Sequence, residues 1–125
     1  MKGRIVKHGK ASGEAMVANE AMGWYACVEP ETGKVIDKGH AFEGLNVAGK
    51  VVVFTTGKGS TVGSYTMYGL KRNGKAPAAI VCEESEPIAA VGAIISDIPM
   101  VDKIDISKIR NGQRVTVDGD KVEVV

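Results

Sequence analysis

The chain has 125 residues, 44% of them apolar and 25% charged, with 16 Lys and Arg against 15 Asp and Glu for a net charge of +1. That length and balance predict one folded domain over residues 1–125 and argue against wholesale disorder, a polybasic nucleic-acid footprint or a charged membrane anchor. Aromatic residues make up 5%, too few for a base-stacking platform.

The opening MKGRIVKHGK carries positive charge without the apolar stretch of a signal peptide, and strands are expected at 3–7 and 14–19. Residues 29–49, EPETGKVIDKGHAFEGLNVAG, weaken into a long excursion over the surface, with 34–36 as its only brief strand. A strand is expected at 50–55, followed by the glycine turn of TTGKGSTVGSYT at 55–66. A helix should then run over 60–72, with Ser60 as its N-cap and Asn73-Gly74 as its stop. Val62, Tyr65, Met67, Tyr68 and Leu70 supply its apolar face, although Gly63 and Gly69 each weaken it by about 1 kcal/mol. With a strand at 78–82, residues 50–82 form a β-α-β unit that predicts parallel strands.

The apolar run 91–96 reads as a further strand, and the longest nearly apolar stretch, Pro87 to Ile95, is under half the ~20 residues of a spanning helix. At the end, Val115 and Val117 alternate before the turn and Val122 and Val124 after it, as in a β-hairpin. Either Asp118-Gly119 or Gly119-Asp120 can supply the turn. The whole is a mixed α/β domain, expected to be soluble and cytoplasmic, with no nucleic-acid or membrane partner.

The two cysteines, Cys27 and Cys82, are too few for a zinc site or an iron–sulfur cluster and are expected to be free thiols. The glycine loop invites comparison with phosphate-binding motifs, and its spacing fails them. A P-loop needs a glycine where Val52 stands and a hydroxyl where Gly59 follows Lys58. A dinucleotide fingerprint needs a third glycine at Val62, and Lys75, Ala76 and Pro77 stand where its acidic partner belongs. What remains is local physics. Gly57 and Gly59 allow close backbone approach, the following helix start favours an anion, and Lys58, Ser60, Thr61 and Ser64 offer polar groups. A plain strand-to-helix turn fits the same residues.

GKGSTVGSY and KAPAAIVCEESEPIAAVGAIISDIPMV, preceded by GEAMVANEA and VEPETGKVIDKGHAFEGLNVAGKVVVF, resemble the small, swivelling subunit of the aconitase X group. Within that group the likeness is to the archaeal-type phosphomevalonate dehydratases, and it covers nearly the whole chain. The resemblance implies a swivelling β/β/α domain with a mixed sheet, one main helix after the glycine loop and a C-terminal β-hairpin. It implies a heterodimer in which a larger subunit carries a [4Fe–4S] cluster that this chain does not bind. The implied reaction, in isoprenoid synthesis, removes water from mevalonate 5-phosphate, a phosphorylated hydroxy acid. Ser60 corresponds to the catalytic serine base, with Gly57, Lys58, Gly59, Thr61, Ser64 and His40 as candidate substrate contacts. The other histidine, His8, and the acidic run Glu83, Glu84 and Glu86 are expected to be solvated.

Three other readings stand beside this one. Related aconitase X enzymes dehydrate hydroxyproline-type acids. Swivelling domains also carry phosphohistidine, but neither His8 nor His40 lies in the Ser/Thr-rich turn such a carrier needs. A non-catalytic interaction module would need neither Ser60 nor a cluster-bearing partner.

Overall fold

Two short apolar strands, β4 (Val51–Phe54) and β6 (Ala79–Cys82), are buried at every residue. A strand with both faces buried needs cover on both sides. The computed structural model, which describes residues 1–125, shows that the two covers differ. The other main strands are β1 (Arg4–Lys7), β2 (Lys10–Val17), β7 (Met100–Asp102), β8 (Arg114–Asp118) and β9 (Lys121–Val124). Together they form a seven-stranded mixed sheet in the order β1-β7-β6-β4-β2-β8-β9.

The two-residue period of the strands divides the core. Val52, Phe54, Ile80, Cys82 and Met100 point to one face, where Met67, Leu70, Ala89 and Ala93 from two helices cover them. Val51, Val53, Ala79, Val81 and Val101 point to the other, against Val115, Val117 and Val122. Each such side chain stabilises the fold by roughly 1.5–3 kcal/mol on burial. The second cover exists because β2 serves two partners. Lys10–Glu14 pair antiparallel with β8, while Ala15–Val17 pair in parallel with β4. Gly13 sits near that changeover, where a Cβ would come within 2.6 Å of the Gly49 carbonyl oxygen.

The expected β-α-β unit is present: β4 and β6 pair in parallel across α1 (Gly63–Arg72). The helix starts three residues later than Ser60. Ser60 Oγ accepts the Val62 N–H at 3.1 Å, a local turn that leaves Val62 as N-cap with no side-chain bond. Its buried face also differs from expectation, because Gly63, Ser64, Thr66, Met67 and Leu70 turn inward while Val62, Tyr65 and Tyr68 stay exposed. The cause is the neighbouring helix, which approaches closely enough that a Cβ on Gly92 would press on Met67 and the Ser64 Cα.

That neighbour is α2 (Pro87–Ile95), and it replaces the strand expected at 91–96. Glu86 caps it, accepting the Ile88 and Ala89 N–H groups at 2.9 and 2.7 Å, and Pro87 occupies the first turn. Ala89, Gly92 and Ala93 face inward at helical spacing, and the strand in this region is β7 instead. Residues 29–49 also depart from expectation. They make isolated pairings, Val28 with Val35 and Lys34 with Asn46, yet bury Val35, Phe42 and Val47 in the helix-side core. The hairpin resolves to Gly119-Asp120, since Asp118 pairs with Lys121 and Gly119 takes the positive φ of a type II′ turn.

At the edge of the sheet, β1 lies antiparallel to β7 and brings Arg4 onto the buried Asp102. Arg4 Nε and Nη2 donate to its two carboxylate oxygens at 3.0 and 2.6 Å, and the Ser85 hydroxyl donates at 2.7 Å. Burial alone would raise this carboxyl, but the bonds from Arg4 and Ser85 outweigh it and hold it below its ordinary 3.8. D102N should therefore cost about 1–3 kcal/mol in urea unfolding at neutral pH, toward the lower end because Arg4 is well exposed. The native carboxyl titrates below its unfolded counterpart, so its contribution is complete above about pH 4 and fades on further acidification. The gap between wild type and D102N should close as pH falls below about 4; a gap constant with pH would refute the charge-based account.

Candidate functional site

The parallel strands β2, β4, β6 and β7 all end at one edge of the sheet, the place where open α/β sheets collect their functional loops. The loop after β4 lies at its centre and is tied to its neighbours by backbone bonds. Thr55 N–H donates to the Glu20 carbonyl at 3.2 Å, and Met22 N–H donates to that of Thr56 at 2.9 Å. The Thr55 carbonyl accepts from Glu83 and Glu84 at 3.1 and 3.0 Å. Gly57–Lys58, strand β5, then pairs in parallel with β3 (Met22–Gly23). The glycine loop is thus partly a strand, and this small second sheet was not expected.

Both glycines of the loop have a local cause. A Cβ on Gly57 would collide with the Glu86 carboxylate, and Gly59 has a φ of +101° that side-chain-bearing residues avoid. Past them, Ser60 and Thr61 sit exposed at the head of α1, with the Val62 N–H on Ser60 Oγ. Lys58 is half-exposed, its Nζ 3.9 Å from Asp37 Oδ2. It lines a hollow of about 170 Å³ with Glu20, Asp37, Lys38, Gly39 and His40. A larger hollow, about 380 Å³, lies by Lys50 at the opposite end of β4 and contains none of the expected site residues.

His40 reaches this hollow, but its ring is already engaged. Nδ1 accepts the Phe42 N–H at 3.0 Å, so the ring proton lies on Nε2, 2.9 Å from the Ala21 carbonyl and 3.3 Å from Glu20 Oε1. Ser64 faces elsewhere. It is buried between the helices, its hydroxyl donating to the Ile88 carbonyl at 2.7 Å. The structure therefore gathers Gly57, Lys58, Gly59, Ser60, Thr61 and His40 at one edge and leaves Ser64 in the α1–α2 contact.

Four neighbours of the loop are not among the expected site residues: Glu20, Cys27, Asp37 and Glu86. Only Glu86 had a local signal, as Glu-Pro before an apolar run. The others arrive by tertiary contact. The Cys27 thiol is held above its ordinary value by burial first, then by the charge and hydrogen bond of Asp37, against the opposing pull of Lys58. Cys82, inside the core, is pushed up to about 12 by burial and nearby carboxylates. Both are therefore protonated thiols at neutral pH, and no group of three or more His, Cys, Asp or Glu side chains converges as a metal ligand set. The residues of this chain do not fit an iron–sulfur cluster.

The family model described as "Aconitase X swivel domain" matches residues 1–125. The chain belongs to the aconitase X swivel-domain family. A protein of Thermococcus kodakarensis described as "Phosphomevalonate dehydratase small subunit" is 52% identical, over 99% of this chain and 93% of that protein. One from Methanocella arvoryzae with the same description is 52% identical, over 95% of this chain and 92% of its own length. The crystal structure of Thermococcus kodakaraensis aconitase X in its holo-form superposes with a TM-score of 0.97 at 51% identity, covering 99% of this chain and 96% of that one. The swivel-domain architecture expected from the resemblance is thereby shown, with a second helix added. No helix of the chain is long and apolar enough to cross a membrane.

Gly59 offers a direct test of the loop's backbone. The new methyl of Gly59→Ala would meet only the Gly23 Cα, at an ordinary 4.0 Å, but the residue must hold a positive φ. It should lower stability by about 1–2 kcal/mol in denaturant unfolding, and wild-type stability would show that the turn had relaxed to another conformation.

Proposed function

We propose that this chain is the small subunit of a two-subunit hydro-lyase that dehydrates mevalonate 5-phosphate, and that Ser60 is its base. The relatives described as phosphomevalonate dehydratase small subunits, near 50% identical over almost the full chain, support the reaction class. The observation that carries the site is the exposed Ser60 hydroxyl at the carboxyl edge of the sheet, already bonded to the Val62 N–H at the head of α1. We place the iron–sulfur cluster on the larger subunit, because this chain has no ligand set for one.

Dehydration of a β-hydroxy acid needs a base to take the proton beside the carboxylate while the neighbouring carbon loses its hydroxyl. A free serine is too weak an acid to act as that base unless its alkoxide is stabilised. The Val62 N–H would become a charge-assisted donor to that alkoxide, and the positive end of α1 favours the same charge. Lys58 adds a cation on the same turn. Its partner Asp37 is 3.9 Å away, a loose contact from which the ammonium can turn to a phosphate or carboxylate of the substrate. Thr61 remains a candidate hydrogen-bond donor, whereas Ser64 and His40 serve here through packing and loop geometry.

The larger subunit has to close over Ser60, and the surface beside it is apolar. Tyr25, Val62, Tyr65 and Tyr68 are all exposed, Tyr65 at 72%. Tyrosines in a contiguous exposed patch are characteristic of protein interfaces, and we place the docking rim there. Tyr65→Glu should weaken assembly with the larger subunit by about tenfold or more in a binding titration, with circular dichroism unchanged; wild-type affinity would move the interface elsewhere.

Ser60→Ala should abolish turnover of mevalonate 5-phosphate by the assembled complex under anaerobic conditions while leaving assembly intact. Near-normal turnover in that variant would remove Ser60 from the mechanism. Turnover of a hydroxyproline-type acid but not of the phosphorylated substrate by wild type would move the chain to another aconitase X reaction.

A further inference from the structure

The acidic segment Glu83–Glu86 keeps Glu83 and Glu84 exposed, as expected of a solvated run, but its backbone, Ser85 and Glu86 are tied down. The Glu83 and Glu84 N–H groups bond the Thr55 carbonyl at 3.1 and 3.0 Å, just upstream of the glycine turn. The Ser85 hydroxyl and N–H both donate to Oδ2 of the buried Asp102, at 2.7 and 3.3 Å, and Arg4 donates to both oxygens of that carboxylate. Glu86 then spends both carboxylate oxygens on the first amides of α2, at 2.7 and 2.9 Å, which fixes its rotamer. Its side chain lies directly against the backbone of Gly57, where a Cβ would overlap Glu86 Cγ, Cδ and Oε1. Met22 pairs with Gly57 along the small β3–β5 sheet.

We infer that Glu86 is a positioning residue for the Ser60 turn: it clamps Gly57 against β3 and so sets where the hydroxyl three residues later stands. The inference rests on the reading of Ser60 as the base. It also explains how a carboxylate is tolerated so close to a site meant to hold an anion. The charge of Glu86 is answered by the helix amides and dipole of α2, so it does not oppose an alkoxide as a free carboxylate would. Glycine at 57 follows from the same contact, because any side chain there would displace the clamp. The acidic run is then a bracket from the edge strand β1, through Asp102 and Ser85, to the catalytic turn.

The test uses the assembled two-subunit enzyme for kinetics and this full chain for amide hydrogen exchange. Glu86→Ala should lower kcat by about tenfold to a hundredfold with KM within about threefold, and should speed exchange at Val62 and Gly63, whose N–H groups bond Ser60. Glu86→Gln keeps the shape and one good acceptor, and should retain kcat within about threefold. Gly57→Ala should also lower kcat, and adding it to Glu86→Ala should cost less than the product of the two effects, because the new methyl fills vacated space. Wild-type kcat in Glu86→Ala, or lost kcat with unchanged exchange at the turn, would overturn the inference, as would a strictly multiplicative double variant. If Ser60→Ala stays active, the base assignment fails by itself, and the exchange measurement still decides whether Glu86 holds the turn.

Discussion

The structure depends on the complete burial of β4 and β6. Eight consecutive-by-strand positions, Val51–Phe54 and Ala79–Cys82, admit no water on either face, so the chain must supply two separate covers. One is helical, from α1 and α2 with the 29–49 segment beneath them; the other is the curled hairpin of β8 and β9. β2 makes both possible, since its first half pairs with β8 and its second half with β4. The swivel-domain architecture follows from that division of labour.

Parallel pairing at the centre has a functional consequence. It brings the carboxyl ends of β2, β4, β6 and β7 to one edge, so the loops after them meet although they are distant in sequence. Thr55 is where they are joined: its N–H goes to the loop after β2 and its carbonyl to the loop after β6. The exposed serine beyond sits on the turn into α1, where its hydroxyl accepts the Val62 N–H at 3.1 Å. Outside the turn, the surface changes from bonded polar groups to exposed tyrosines.

Local sequence was a good guide where chemistry is local. Strands β1, β4 and β6, the α1 helix and the C-terminal hairpin were legible from apolar runs, turn residues and alternation. Gly59 was legible as a turn glycine before a helix, whereas Ser60, expected as the N-cap, lies in the turn ahead of Val62. The misreadings share one cause, which is that an apolar pattern does not say what covers it. Val91–Ser96 satisfies strand and helix periods alike, and Glu86 with Pro87 decided for the helix. Val62, Tyr65 and Tyr68 form an apolar stripe that looked like a core face, yet α2 packs on the small residues Gly63 and Ser64 instead.

By itself the sequence determined the strand-rich mixed fold, the glycine turn with its serine, and the shortage of metal ligands, because these rest on residue type and neighbour spacing. Only the tertiary structure decided that Ser64 belongs to the helix contact, that His40 spends its ring on the backbone, and that Gly57 yields its space to Glu86. Those outcomes depend on groups brought together from separate helices and loops, and no local pattern encodes which hydroxyl or carboxylate will find a partner there. The acidic run shows the difference most clearly: Glu83 and Glu84 stay exposed as their charge suggested, while Glu86 turns its carboxylate onto the first amides of α2, against Gly57.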